Sequence, residues 1–145
     1  MLAQYLEVNR CAYAEFERDE NTFNLTGDYN EGVSSIVGRY RLTDISEDLA
    51  DSVVAGKTFV CNDVESGNRS AKELAQYRSL KIASLICVPL HKSGRLIASL
   101  GVNQMRPRVW QPEEIELVQH VALRCWESIE RARISRELRQ NEYRL

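Results

Sequence analysis

The chain has 145 residues, 43% of them hydrophobic and 28% charged, with a formal net charge of −2. That suits one globular domain with a core of its own and excludes the broad basic field that gathers nucleic acid. No apolar run nears the ~20 residues that cross a bilayer, so direct membrane insertion is not expected. No secretory leader is visible where Glu7 and Arg10 interrupt the first apolar residues. The four cysteines, Cys11, Cys61, Cys87 and Cys125, form no CxxC pair. Reduced, buried thiols and a cytoplasmic location are expected. With two histidines and scattered cysteines, no metal site is expected.

In chain order, residues 1–8 predict a short helix with Leu2 and Leu6 on one face. Cys11–Glu17 alternates like a strand, Arg18–Asn21 is a turn, and Thr22–Thr26 is the returning strand. Gly27–Gly32 (GDYNEG) has loop chemistry, and Ser34–Leu42 is extended or irregular. Ser46 reads as the cap of a short helix that stops at Gly56. Thr58–Cys61 is a short strand. Ser70–Ser79 is a second short helix with Leu74 and Tyr77 turned inward. Two apolar runs follow, Ser84–Leu90 and Leu96–Val102, separated by a polar gap with one glycine. They predict a central β-hairpin covered on both faces. Pro112, Glu113 and Glu114 suit the first turn of a long helix.

That helix carries two apolar faces. Ile115, Val118, Val121, Ala122, Cys125, Ile129 and Ala132 share the face expected against the sheet. Leu123, Ile134, Leu138 and Leu145 lie opposite, and a parallel partner helix is the simple way to bury them. A homodimer through the terminal helices is therefore expected. Strands, short crossover helices, a hairpin and a flanking helix make an α+β domain.

Taken together and in this order, Gly56–Val64, Leu80–Leu90, Gly94–Val102 and Trp110–Val118 resemble a GAF domain. The resemblance covers nearly the whole chain. It implies a central antiparallel sheet of five to six strands, with the N- and C-terminal helices on one face and the short crossover helices on the other. Residues 1–132 would be the GAF domain. Residues 133–145 would begin a helical linker to a downstream module absent from this chain, because Trp126–Leu145 looks like the linker of bacterial sensor histidine kinases. The downstream partner in the same polypeptide would then be a kinase or PAS module.

A closer likeness is to phytochrome GAF domains. Gly38–Ser46 (GRYRLTDIS) is similar to the segment whose Asp meets the bilin pyrrole nitrogens, and on that likeness Asp44 is its counterpart. The spacing from Gly38 is one residue shorter. Where photoreceptor GAF domains carry a Cys-His pair, this chain has Lys72-Glu73. A thioether needs a thiol, so covalent bilin attachment is not expected.

GAF domains bind small ligands between the sheet and the crossover, here residues 27–79. Candidates for such a pocket are Tyr29, Tyr40, Asp44, Asp63, Arg69 and Tyr77. Each has a structural alternative: Asp44 and Asp63 as local caps, Arg69 as a solvated charge, Tyr77 as core with its hydroxyl at the rim. Trp110 and Trp126 read as packing residues, His120 as a core residue, and His91 as exposed at the hairpin turn.

The leading expectation is a sensory domain, not itself an enzyme, of a two-component sensor histidine kinase. A tetrapyrrole- or cyclic-nucleotide-binding receptor is the alternative. A GAF-type methionine sulfoxide reductase comes last, since no general base or positive charge is evident near Cys61 or Cys87. No cofactor is firmly implied, and the small-molecule ligand is not named by the sequence.

Overall fold

The computed structural model describes residues 2–143. Six antiparallel strands form one sheet: β1 (Arg10–Phe16), β2 (Thr22–Asn30), β3 (Gly38–Arg41), β4 (Phe59–Cys61), β5 (Ser84–Lys92) and β6 (Arg95–Gln104). Their order is β3-β2-β1-β6-β5-β4. The hairpin lies at the centre, with Ser84 opposite Gln104 and Lys92 opposite Arg95. Its two-residue turn puts both Ser93 (φ 52°) and Gly94 (φ 78°) in the left-handed region. That backbone matches the twist of the flanking strands.

Helices cover both faces. α1 (Leu2–Leu6) and α5 (Pro112–Tyr143) pack on one side, where Leu6, Ile86, Leu100, Val118 and Ala122 are buried together. α2 (Leu42–Ile45), α3 (Glu47–Val54) and α4 (Ala71–Ser79) pack on the other, over Ala12, Ala14, Phe23 and Leu85. A strand sends successive side chains to opposite faces, so the hairpin supplies both cores, and its near-continuous apolar runs follow from that.

Several expectations need correction. Residues 27–30, expected as loop, extend β2, because Gly27–Asn30 pair with Tyr13–Arg10. Leu25 then pairs with Ala14, so Thr26 is the extra residue of a β-bulge, and tertiary pairing overrides local loop chemistry. Ser46 holds the N-cap position of α3 but makes no side-chain capping bond; its hydroxyl is engaged elsewhere. Ser70 does cap α4, in a reciprocal box with Glu73. His120 is exposed, whereas His91 is half-buried, with Nε2 3.3 Å from the Val54 carbonyl oxygen. Ala132 is exposed too, because α5 leaves the sheet before that turn.

Candidate functional site

Two concavities lie back to back across the crossover. The inner one is a cavity of about 90 Å3 between the sheet and α2–α4. Ala12 and Ala14 of β1 and Ser99, Gly101 and Asn103 of β6 form its floor, and Leu42, Ile45, Leu49 and Tyr77 its roof. The outer one is an open cleft of about 600 Å3 edged by Glu47, Asp48, Asp51, Asp63 and Glu73, with Cys61 and Arg69 at its base.

Tyr77 and Arg69 form the wall between them. Tyr77 is fully buried, and its hydroxyl lies 2.6 Å from the Ser46 hydroxyl. Burial pushes its phenol up to about 12. The Arg69 guanidinium stands 5.8 Å from the Tyr77 ring centroid. Arg69 Nη2 donates to Asp48 at 2.5 Å and reaches Cys61 Sγ at 3.5 Å, and Nη1 donates to the Val64 and Ser66 carbonyls. Contrary to expectation, then, a positive charge does stand beside Cys61. The sequence could not show it, because the two residues are eight apart and meet only where the loop before α4 folds back under β4.

Tyr40 borders the inner cavity, stacked on Phe23 at 5.6 Å between ring centroids, and its hydroxyl donates to the Ile36 carbonyl at 2.6 Å. Asp63 lies on the outer cleft, where its carboxylate accepts from the Glu65 amide. Tyr29 packs on the opposite face, with its hydroxyl accepting from Gln4. Asp44 is exposed on α2. The structure thus brings together Tyr40 and Tyr77 at the cavity, and Asp63 and Arg69 at the cleft.

One important residue escaped the sequence reading. Arg10 is 1% exposed. It donates to Asn30 Oδ1, the Leu80 carbonyl, Asn103 Oδ1 and the Ser34 carbonyl, at 2.9–3.2 Å. One guanidinium so ties β1 to β2, β6, the loop before β3 and the end of α4. A lone charge at the head of an apolar strand was the available signal.

The four cysteines are free. Burial pushes the Cys11 and Cys87 thiols up to about 11. Among the described residues, no three His, Cys, Asp or Glu side chains are grouped to hold a metal ion.

The sequence pattern of the GAF domain family matches residues 1–129. This chain belongs to the GAF domain family. The resemblance seen in the sequence holds, and so does the two-faced α+β architecture it implied. The GAF domain is 23% identical over 151 residues to the circadian input-output histidine kinase CikA of Thermosynechococcus vestitus, covering 97% of this chain and 21% of that protein. It therefore spans about a fifth of that relative's length.

Among solved structures, a domain of a putative two-component sensor histidine kinase from Sinorhizobium meliloti superposes with a TM-score of 0.71 at 21% identity, covering 95% of this chain and 90% of that one. The phycocyanobilin-bound GAF domain of a cyanobacterial phytochrome superposes with a TM-score of 0.76 at 14% identity, covering 92% and 81%.

A bilin does not fit the residues present. α4 carries no thiol, and a cavity of about 90 Å3 is far below the ~300–1,000 Å3 of ordinary ligand pockets. Among the described residues, no helix is long and apolar enough to cross a membrane.

Proposed function

We propose that this GAF domain is the sensory and regulatory module of a two-component sensor histidine kinase in the cytoplasm. In this reading residues 1–132 sense a small ligand in the inner cavity. The helix beyond relays the signal to a kinase or PAS module in the same polypeptide. The histidine-kinase relative supports this, but the observation that carries it is α5. Its first half is fastened to the sheet by Val118 and Ala122, both fully buried. Its second half runs on without interruption, the whole helix being 32 residues long. Leu123, Ile134 and Leu138 stay 52%, 52% and 59% exposed on it. Leu145, the fourth residue of the expected seam, lies outside the described residues.

A helix with no Pro or Gly after its first residue lacks the usual kink sites and carries a displacement along its length. An exposed apolar stripe on it is satisfied by a second copy of the same helix. The test is the Ile134→Glu/Leu138→Glu double variant. It is expected to be monomeric by sedimentation while keeping its circular dichroism spectrum. A dimer that survives the double change overturns the seam and, with it, the relay.

A further inference from the structure

The inner cavity sets its own ligand class. Its lining residues include no Asp, Glu, Lys, Arg or His, so an ion placed there would lose its hydration without a partner. Three of the polar atoms that reach it are already engaged, and the Ser99 hydroxyl lies against the Cys87 thiol. The Tyr77 hydroxyl is paired with Ser46, the Tyr40 hydroxyl with the Ile36 carbonyl, and Asn103 Oδ1 with Arg10. An apolar cavity of ~150 Å3 takes up benzene, so one of about 90 Å3 suits a guest of fewer than six non-hydrogen atoms. A lining this largely apolar favours apolar guests.

We propose that the cavity binds a small, neutral, apolar molecule of about three to five non-hydrogen atoms. This excludes a tetrapyrrole, a nucleotide or any other anion. The proposal rests on the reading of this domain as a ligand sensor and narrows it to one ligand chemistry. The guest touches Ala12, Ala14 and Gly101 below and Leu42, Ile45 and Tyr77 above. Each wall gains dispersion contacts that a void denies it. Occupancy therefore fastens the α2–α4 layer to the sheet, and the same sheet carries α5 on its other face.

Gly101 provides the control. It faces the cavity, its backbone is not left-handed, and an added Cβ would approach nothing closer than the Ile86 carbonyl at 3.5 Å. Gly101→Ala and Gly101→Val therefore fill the cavity in two steps, and a β-branched residue suits a strand.

The experiment uses the whole chain with methyl NMR, titrated with pressurised xenon, cyclopropane, naphthalene and acetate. Xenon and cyclopropane are expected to give saturable shifts at the Ala12, Leu42 and Ile45 methyls. These should be weaker in Gly101→Ala and lost in Gly101→Val, while naphthalene and acetate give none. Absence of saturable shifts with both small guests, or equal shifts in folded Gly101→Val, overturns the proposal. Should Gly101→Val fail to fold, Gly101→Ala carries the same comparison. The sensor reading has a separate readout, the amide signals of α5 and the sedimentation of the dimer. Saturable cavity shifts that leave both unchanged uphold the ligand class and remove the relay. Saturable binding of acetate at these methyls removes the ligand class and leaves the relay standing.

Discussion

Ser46 and Tyr77 show how one buried pair positions a cavity wall. Both are inaccessible, so neither hydroxyl can turn to water when its partner is removed. Tyr77→Phe alone strands the Ser46 hydroxyl and is expected to cost about 1–3 kcal/mol. Adding Ser46→Ala removes the stranded group. Urea melts should therefore find the double variant more stable than Tyr77→Phe alone, and the reverse order would show that the bond contributes little.

The thiols make a pH prediction at the same scale. Below about pH 8.5 Cys11 and Cys87 are protonated whether the chain is folded or not. Above it the unfolded chain releases two protons that the native chain holds until about pH 11. Stability is therefore unaffected below that range and falls as pH rises from about 9 to 11. The urea midpoint at pH 10 should lie below that at pH 8. Equal midpoints would mean that these thiols ionise as readily folded as unfolded.

At the scale of elements, α5 decides most. Trp110 fixes where it starts: the indole Nε1 donates to the Cys61 carbonyl at 3.1 Å, and the Trp110 amide donates to Asn62 Oδ1. Beside it Arg108 stacks on the indole, donates to the Leu6 carbonyl and pairs with Glu114. This start ties the edge strand β4, α1 and the first turn of α5 together. Further along, Lys92 of β5 meets Glu130 at 2.8 Å, near the point where α5 leaves the sheet. Beyond that point Ile134 and Leu138 are left exposed, and they form the stripe of the proposed dimer seam. Each side chain removed from such a seam forfeits about 1.5–3 kcal/mol, and paired glutamates add repulsion. The loss of dimer expected for the Ile134→Glu/Leu138→Glu variant follows from those magnitudes.

For the whole molecule, Arg10 is the joint between the two halves of the sheet and the crossover. Arg10→Met leaves Asn30, Asn103 and the Ser34 and Leu80 carbonyls without their donor. Its four partners are neutral oxygens, and leaving buried acceptors unsatisfied costs about 1–3 kcal/mol. Chemical denaturation should show a loss of that order, with the loop before β3 the first segment to gain hydrogen exchange. A loss below about 1 kcal/mol would mean that water or neighbouring amides replace the guanidinium freely.

The sequence by itself determined the elements whose signal is local. Two apolar runs of seven residues with a short polar gap holding one glycine predict a covered hairpin, and Pro112 with two glutamates suits the opening of a helix. The period of α5 likewise separated its buried face, from Val118 to Ala122, from the exposed Leu123, Ile134 and Leu138. The tertiary structure decided everything that depends on residues far apart in the chain. The expected loop at 27–30 became strand because β1 offered it hydrogen-bond partners, and local propensity is weaker than a completed ladder. Ser46 gave up capping because Tyr77, 31 residues away, supplied a better buried partner. Arg69 met Cys61, and Arg10 found four acceptors across 93 positions of sequence. The cavity volume is of the same kind. It is the space left after Tyr77, Ile45 and Leu42 have packed on the sheet, and such a remainder has no counterpart in any one segment of the chain.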